Sequence, residues 1–207
     1  MKRPQTKKVA DEPSWLIRTR NVELALSQRG GQMAPVKFYL HGPGKPVQPY
    51  YISPWQGEKL KIDEPVLAPL RGDFFCMPFG ANVPARGKVY KVHGEPAGNP
   101  WRLVGTEQDG DVLSLTTSMT TQVMPGNITK KLMLVEGHNV VYSQHILTGY
   151  SGRAPLGHQR GSVSKPVQGP QGSAEDRAER DGDAGRLPAQ GGQAPDRLRR
   201  EFHGPDP

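Results

Sequence analysis

Apolar residues in this chain recur at every second position, in short runs punctuated by glycine and proline. The run Asn21–Ser27 (NVELALS) sets Val22, Leu24 and Leu26 on one side, the period of a half-buried strand. Gly30-Gly31 marks a turn, and Val36–Leu40 (VKFYL) supplies a second short strand. Further on, Asp111–Met119 (DVLSLTTSM) places Leu113, Leu115 and Thr117 on one face. Two alternating runs, Ile128–Val135 and Asn139–Leu147, flank Glu136-Gly137-His138-Asn139, the pattern of a β-hairpin with a glycine-containing loop. No stretch repeats at 3.6 residues, and no internal repeat is visible. Short strands with Gly/Pro punctuation predict an all-β fold, an antiparallel β-sandwich or barrel.

The pattern stops near His158. Between Gln159 and Pro207 the large apolar residues are Val163, Val167, Leu187, Leu198 and Phe202, among eight Gly and six Pro. Such a segment cannot bury enough apolar surface to offset its ordering entropy, so a disordered tail is expected over 159–207. Charge changes at the same place: 19 basic and 12 acidic residues up to His158, then eight of each. Three parts follow: a flexible basic N-terminus over 1–13, a β-sandwich over 14–158, and the tail. The net charge of +7 is scattered rather than gathered on one element, which predicts no specific nucleic-acid partner. The single cysteine, Cys76, lies in an apolar run and reads as a core residue. With no apolar stretch near the ~20 residues a bilayer requires, and no signal peptide, no membrane association is expected and the chain reads as cytoplasmic.

Candidate chemistry gathers in Lys91–Leu103 (KVHGEPAGNPWRL), which holds His93, Glu95, Asn99 and Trp101 among glycines and prolines. A sugar site needs this mixture of imidazole, carboxylate, amide and indole; an ordinary polar turn can also contain it. Upstream lies Leu70–Gly80 (LRGDFFCMPFG). The order Arg-Gly, apolar run, Pro-Phe-Gly, His-Gly and Trp resembles the galactose mutarotase-like superfamily, closest to its hexose-phosphate epimerase-like branch. Val22–Phe38 (VELALSQRGGQMAPVKF) is similar to that superfamily's opening strand, double-glycine turn and second strand, and Leu147–His158 (LTGYSGRAPLGH) sits where its members approach a second histidine. The resemblance spans roughly Trp15 to His158.

The resemblance implies a partial β-supersandwich with a hexose-binding cleft, in which an imidazole acid and a carboxylate base open the pyranose ring to interconvert anomers. His93 and His158 would be the proton-transfer groups, and Arg71, Asp73, Glu95, Asn99 and Trp101 the substrate contacts. Three departures matter. Ala97 stands where the pattern has an arginine, which favours a neutral over a phosphorylated sugar. Gln159 and Arg160, not aromatics, follow His158. The carboxylate base of the family's C-terminal half has no counterpart here, which predicts weak or absent activity; the abrupt change in composition after His158 reads as an out-of-frame continuation or, alternatively, as a natural disordered linker.

Each candidate also has a plainer reading. His93 can be a solvated loop residue, and Arg71 can pair with Asp73 or another carboxylate. Trp101 can be core rather than a pyranose platform, and Glu95 and Asn99 suit a turn. His145, inside a strand, reads as a satisfied strand histidine. The His93-x-Glu95 pair lacks a third ligand at useful spacing, so no metal site and no cofactor are expected. His41-Gly-Pro-Gly-Lys45 lacks phosphate-loop spacing, and no serine-hydrolase signature occurs. The runner-up function is a carbohydrate-binding sandwich without chemistry.

Overall fold

The computed structural model describes residues 4–58, 60–80, 84 and 87–161. In chain order the elements are β1 (Gln5–Val9), β2 (Glu12–Arg18), β3 (Val22–Ser27), β4 (Met33–Phe38), β5 (Asp73–Cys76), α1 (Glu95–Gly98), β6 (Arg102–Asp109), β7 (Val112–Thr121), β8 (Gly126–Val135), β9 (Tyr142–Thr148) and β10 (Gly157–Arg160). They build two antiparallel sheets, one ordered β1-β2-β3-β4-β5-β10 and the other β6-β7-β8-β9. The fold is an all-β antiparallel sandwich.

The alternating runs make its interior. Val22, Leu24 and Leu26 of β3 join Trp15 and Ile17 of β2, and meet Leu115 of β7 and Ile128, Leu132 and Leu134 of β8 in one buried cluster. Each such aliphatic side chain contributes about 1.5–3 kcal/mol through burial. The 126–148 hairpin forms as its pattern predicts, with Ile128 opposite Leu147 and Lys130 opposite His145. The second strand is shifted from its expected span and runs Met33–Phe38.

Other elements carry no alternation to read. In β5 all four residues are buried, because both its faces are covered. Phe75 belongs to the inter-sheet core, whereas Phe74 and Cys76 pack with Val66 and Ala97 in a second, smaller cluster. That surrounding pushes the Cys76 thiol up to about 12 by burial. Residues 5–9, inside the span expected to be flexible, form β1 and pair with β2 from Gln5↔Leu16 to Val9↔Glu12. The single turn α1, with Pro96 in its first turn, is too short for a periodic signature. β10 crosses the boundary expected at His158; from residue 162 the expected tail lies outside the described residues.

Gly72 precedes β5 with φ +48°, and a Cβ there would collide with the Met33 carbonyl. Gly110, at the β6–β7 turn, has φ +52° but open space around it. Gly110→Ala is therefore expected to lose about 1 kcal/mol from backbone strain alone. Gly72→Ala is expected to lose more than about 3 kcal/mol, since backbone must also move. Urea denaturation at unchanged m-value measures both; equal losses would contradict the packing at Gly72.

Candidate functional site

Four of the expected contact residues turn out to build the framework. The Arg71 guanidinium is 1% exposed and donates to the carbonyls of Pro69 (3.0 Å), Val9 (2.7 Å) and Ala10 (2.9 Å) and to Gln56 Oε1 (2.7 Å). Its partners are carbonyl oxygens, not a carboxylate. Burial pulls its pKa down, and nearby Glu12 opposes that. Glu95 is buried, and its carboxylate accepts the backbone N–H groups of Gln122 (2.9 Å) and Val123 (3.0 Å), which fixes the β7–β8 turn. Trp101 is core, with Nε1 donating to the Pro96 carbonyl at 2.9 Å. Asn99 closes α1 through its N–H to Glu95 O (2.9 Å) while its own carbonyl accepts from Gly30 N–H (2.8 Å).

The two candidate proton-transfer histidines are not brought together. His93, at φ +59°, packs edge-on against Phe74 and Phe79. Its Nδ1 accepts from Gly80 N–H at 3.4 Å, which favours the neutral ring, and burial lowers its pKa against a weaker pull from Glu64. His158 meets Phe75 instead. Because adjacent strand residues project to opposite faces, Phe74 and Phe75 put the two imidazoles against opposite faces of β5.

Asp73 and His158 do converge, on the face of β5 and β10 that looks towards the second sheet. Phe75 pairs with His158 and Asp73 with Arg160, so all four share one face. His158 Nδ1 lies 2.9 Å from Asp73 Oδ1, and Arg160 Nε lies 3.4 Å from Asp73 Oδ2. Burial alone would raise the Asp73 pKa. The His158 hydrogen bond and the charges of His158, Lys130 and Arg160 outweigh it and hold the carboxyl below its ordinary value. The imidazole keeps 32% of its side chain exposed.

The facing sheet contributes Lys130 and His145, an in-register pair on β8 and β9. Lys130 is 1% exposed, donates to Gly31 O at 2.8 Å, and is brought down to about 8 by burial, with Asp73 and Cys76 pulling the other way. His145 stacks on Phe75, with centroids 4.3 Å apart and planes at 16°, and lies edge-on to His158 at 5.0 Å. Burial, then Lys130 and His158, lower its pKa to about 3, so it is neutral near pH 7. Its Nε2 is buried and without a hydrogen-bond partner among the described residues, so the satisfied-histidine reading is corrected. Lys130 was missed by motif reading, although the alternation Ile128, Lys130, Leu132, Leu134 puts it on the apolar face.

The arrangement can hold an imidazole in a fixed tautomer beside an ionised carboxylate, a pair suited to proton transfer. Among the described residues, no three His, Cys, Asp or Glu converge as a metal-binding group, and no helix is long and apolar enough to cross a membrane.

No family model and no curated protein matches the chain. A solved structure that it resembles is a "putative mutarotase (YeaD)" from Salmonella typhimurium, at 13% identity and a TM-score of 0.47, over 63% of this chain and 42% of that one. The chain thus spans less than half of that protein's length.

Acid should act on the cluster first through His145. Its folded pKa of about 3 lies below the ordinary value of 6.5, so the unfolded state takes up the proton first. Stability is then full above about pH 6.5 and falls as pH drops towards 3, on the order of 3 kcal/mol by pH 4. Asp73, also depressed, adds to the loss below the ordinary carboxylate range. Chemical denaturation between pH 7 and 4 should show a shallower loss in His145→Leu than in the unsubstituted chain. Parallel profiles would remove His145 as the cause.

Proposed function

We propose that the chain binds a neutral hexose and is aldose 1-epimerase-like, with His158 as its proton-transfer group. The observation that carries this is the 2.9 Å contact between His158 Nδ1 and Asp73 Oδ1 at a partly exposed imidazole. Ionised Asp73 accepts from Nδ1–H, which leaves Nε2 to exchange a proton with the sugar. A proton delivered to the ring oxygen accompanies rupture of the C1–O5 bond, while the anomeric hydroxyl loses its proton and C1 becomes an aldehyde carbon. Rotation about C1–C2 and the reverse steps give the other anomer. Asp73 is committed to His158 and Arg160 and does not serve as the base. The second transfer falls to solvent, and turnover is slow. His93, against the opposite face of β5, has no part in this reading.

A second reading, sugar binding without chemistry, draws on the four-stranded sheet. A groove of about 570 Å³ lies along residues that include Arg102, Ser118, Thr120, Asn127 and Thr129. Hydroxyl, amide and guanidinium groups there suit a polyol.

Polarimetry of freshly dissolved α-glucose and α-galactose separates the two. On the first reading the chain equilibrates anomers faster than buffer, and His158→Ala returns the rate to that of buffer. A rate equal to buffer from the unsubstituted chain sinks the catalytic claim. Calorimetric titration with the same sugars then decides on binding: saturation abolished by Arg102→Ala but kept in His158→Ala supports the groove, and flat titrations exclude both readings.

A further inference from the structure

The two sheets have four edge strands among the described elements: β1 and β10 on one, β6 and β9 on the other. An open edge is a template for another strand, and edges that must stay single carry charge, a bulge or few residues. Three are blunted in this way. β1 (QTKKV) carries Lys7 and Lys8. β6 (RLVGTEQD) carries Arg102, Glu107 and Asp109 and a register shift between Leu103 and Gly105. β10 (GHQR) has four residues and ends in Arg160. β9 (YSQHILT) differs in every respect: seven residues, no Lys, Arg, Asp, Glu or Pro, and an unbroken register against β8. Its solvent face leaves Tyr142 40% and Ile146 47% exposed.

We propose that β9 is a pairing edge and that its occupant is β9 of a second copy of this chain, antiparallel and related by a two-fold axis through residue 145. The strand is self-complementary in that register. Full overlap sets Tyr142 opposite the partner's Thr148, Ser143 opposite the partner's Leu147, and Gln144 opposite the partner's Ile146. No pair brings like charges together, the usual obstacle to isologous strand pairing. About six main-chain hydrogen bonds form, and the two four-stranded sheets become one of eight. On the solvent face a row then runs Thr129, Ile146, the partner's Gln144, the partner's Lys131, which covers the exposed isoleucine.

The residue on the axis fits as well. His145 points to the interior face together with Lys130 and is neutral near pH 7, so two of these imidazoles meet without repulsion. A partner with a different strand sequence would satisfy the main chain equally. Only self-pairing makes position 144 of one copy face position 146 of the other.

That relation supplies the test. Sedimentation equilibrium of the full chain over a wide concentration range should show a monomer–dimer equilibrium. Gln144→Lys with Ile146→Lys sets lysine against lysine twice across the axis and should weaken dimerisation by at least about tenfold. Gln144→Lys with Ile146→Glu sets lysine against glutamate twice and should restore the dimer. Both side chains are exposed, and an unchanged thermal transition of the diluted variants verifies folding. A monomer at all concentrations overturns the proposal, as does a dimer indifferent to the paired lysines. Failure of the lysine–glutamate pair to restore association overturns the two-fold register.

Discussion

The site depends on an ammonium group inside a β-sandwich. Lys130 sits among Ile128, Leu132 and Leu134, and burial makes its charge expensive unless opposite charge lies near. Asp73 supplies that charge from the other sheet, and the Gly31 carbonyl supplies the hydrogen bond. The consequences spread outward. The positive field of Lys130 and Arg160 helps keep Asp73 ionised despite burial. Burial, with Lys130 and His158 added to it, keeps His145 neutral. Ionised Asp73 in turn fixes the ring of His158, so two histidines 5.0 Å apart fall into different roles. Their environments separate them, not their chemistry.

A second constraint lies in the stretch between β4 and β5, which has few ladder bonds to satisfy its backbone. Long polar side chains stand in for the missing ladder. Gln32 donates to Val66 O (3.2 Å) and Ala97 O (2.9 Å) while accepting from Arg71 N–H (2.7 Å). Arg71 reaches back to the β1–β2 turn, and Glu95 closes the β7–β8 turn. These are the residue types that nominate a ligand site in a bare sequence. Arginine forks and carboxylates recognise backbone groups by the same hydrogen-bond geometry with which they recognise a sugar.

That ambiguity explains what could be read in advance. β3, β7 and the β8–β9 hairpin were legible because apolar side chains alternate with small or polar ones along each, so period two survives in the sequence. β5 is buried on both faces and β1 is polar along its length, and each loses the alternation for an opposite reason. Among site residues, Asp73 and His158 were named from a motif and meet in space. His93 and Arg71 were named the same way and do not join them, because the face on which a residue lands depends on a register that motif spacing does not carry. Lys130 was hidden by its neighbour: a Lys-Lys pair reads as solvent-facing, yet in a strand one of the two must point inward.

The Asp73–His158 pair also shows why chemistry and architecture are hard to separate here. Asp73 is 5% exposed and answers three groups, His158 and Arg160 by contact and Lys130 through space. Removing its charge would leave Lys130 buried without compensation and free the His158 ring at once. A loss of stability and a loss of proton-transfer competence would therefore arrive together, and single substitutions there cannot apportion them. His158, two-thirds covered and bonded through one nitrogen, is the more separable partner. Its removal leaves Asp73 still facing Lys130 and Arg160, so the interior charge remains answered while the exposed imidazole nitrogen disappears. The proposed chemistry is accordingly to be tested at the histidine, and the architecture at the aspartate.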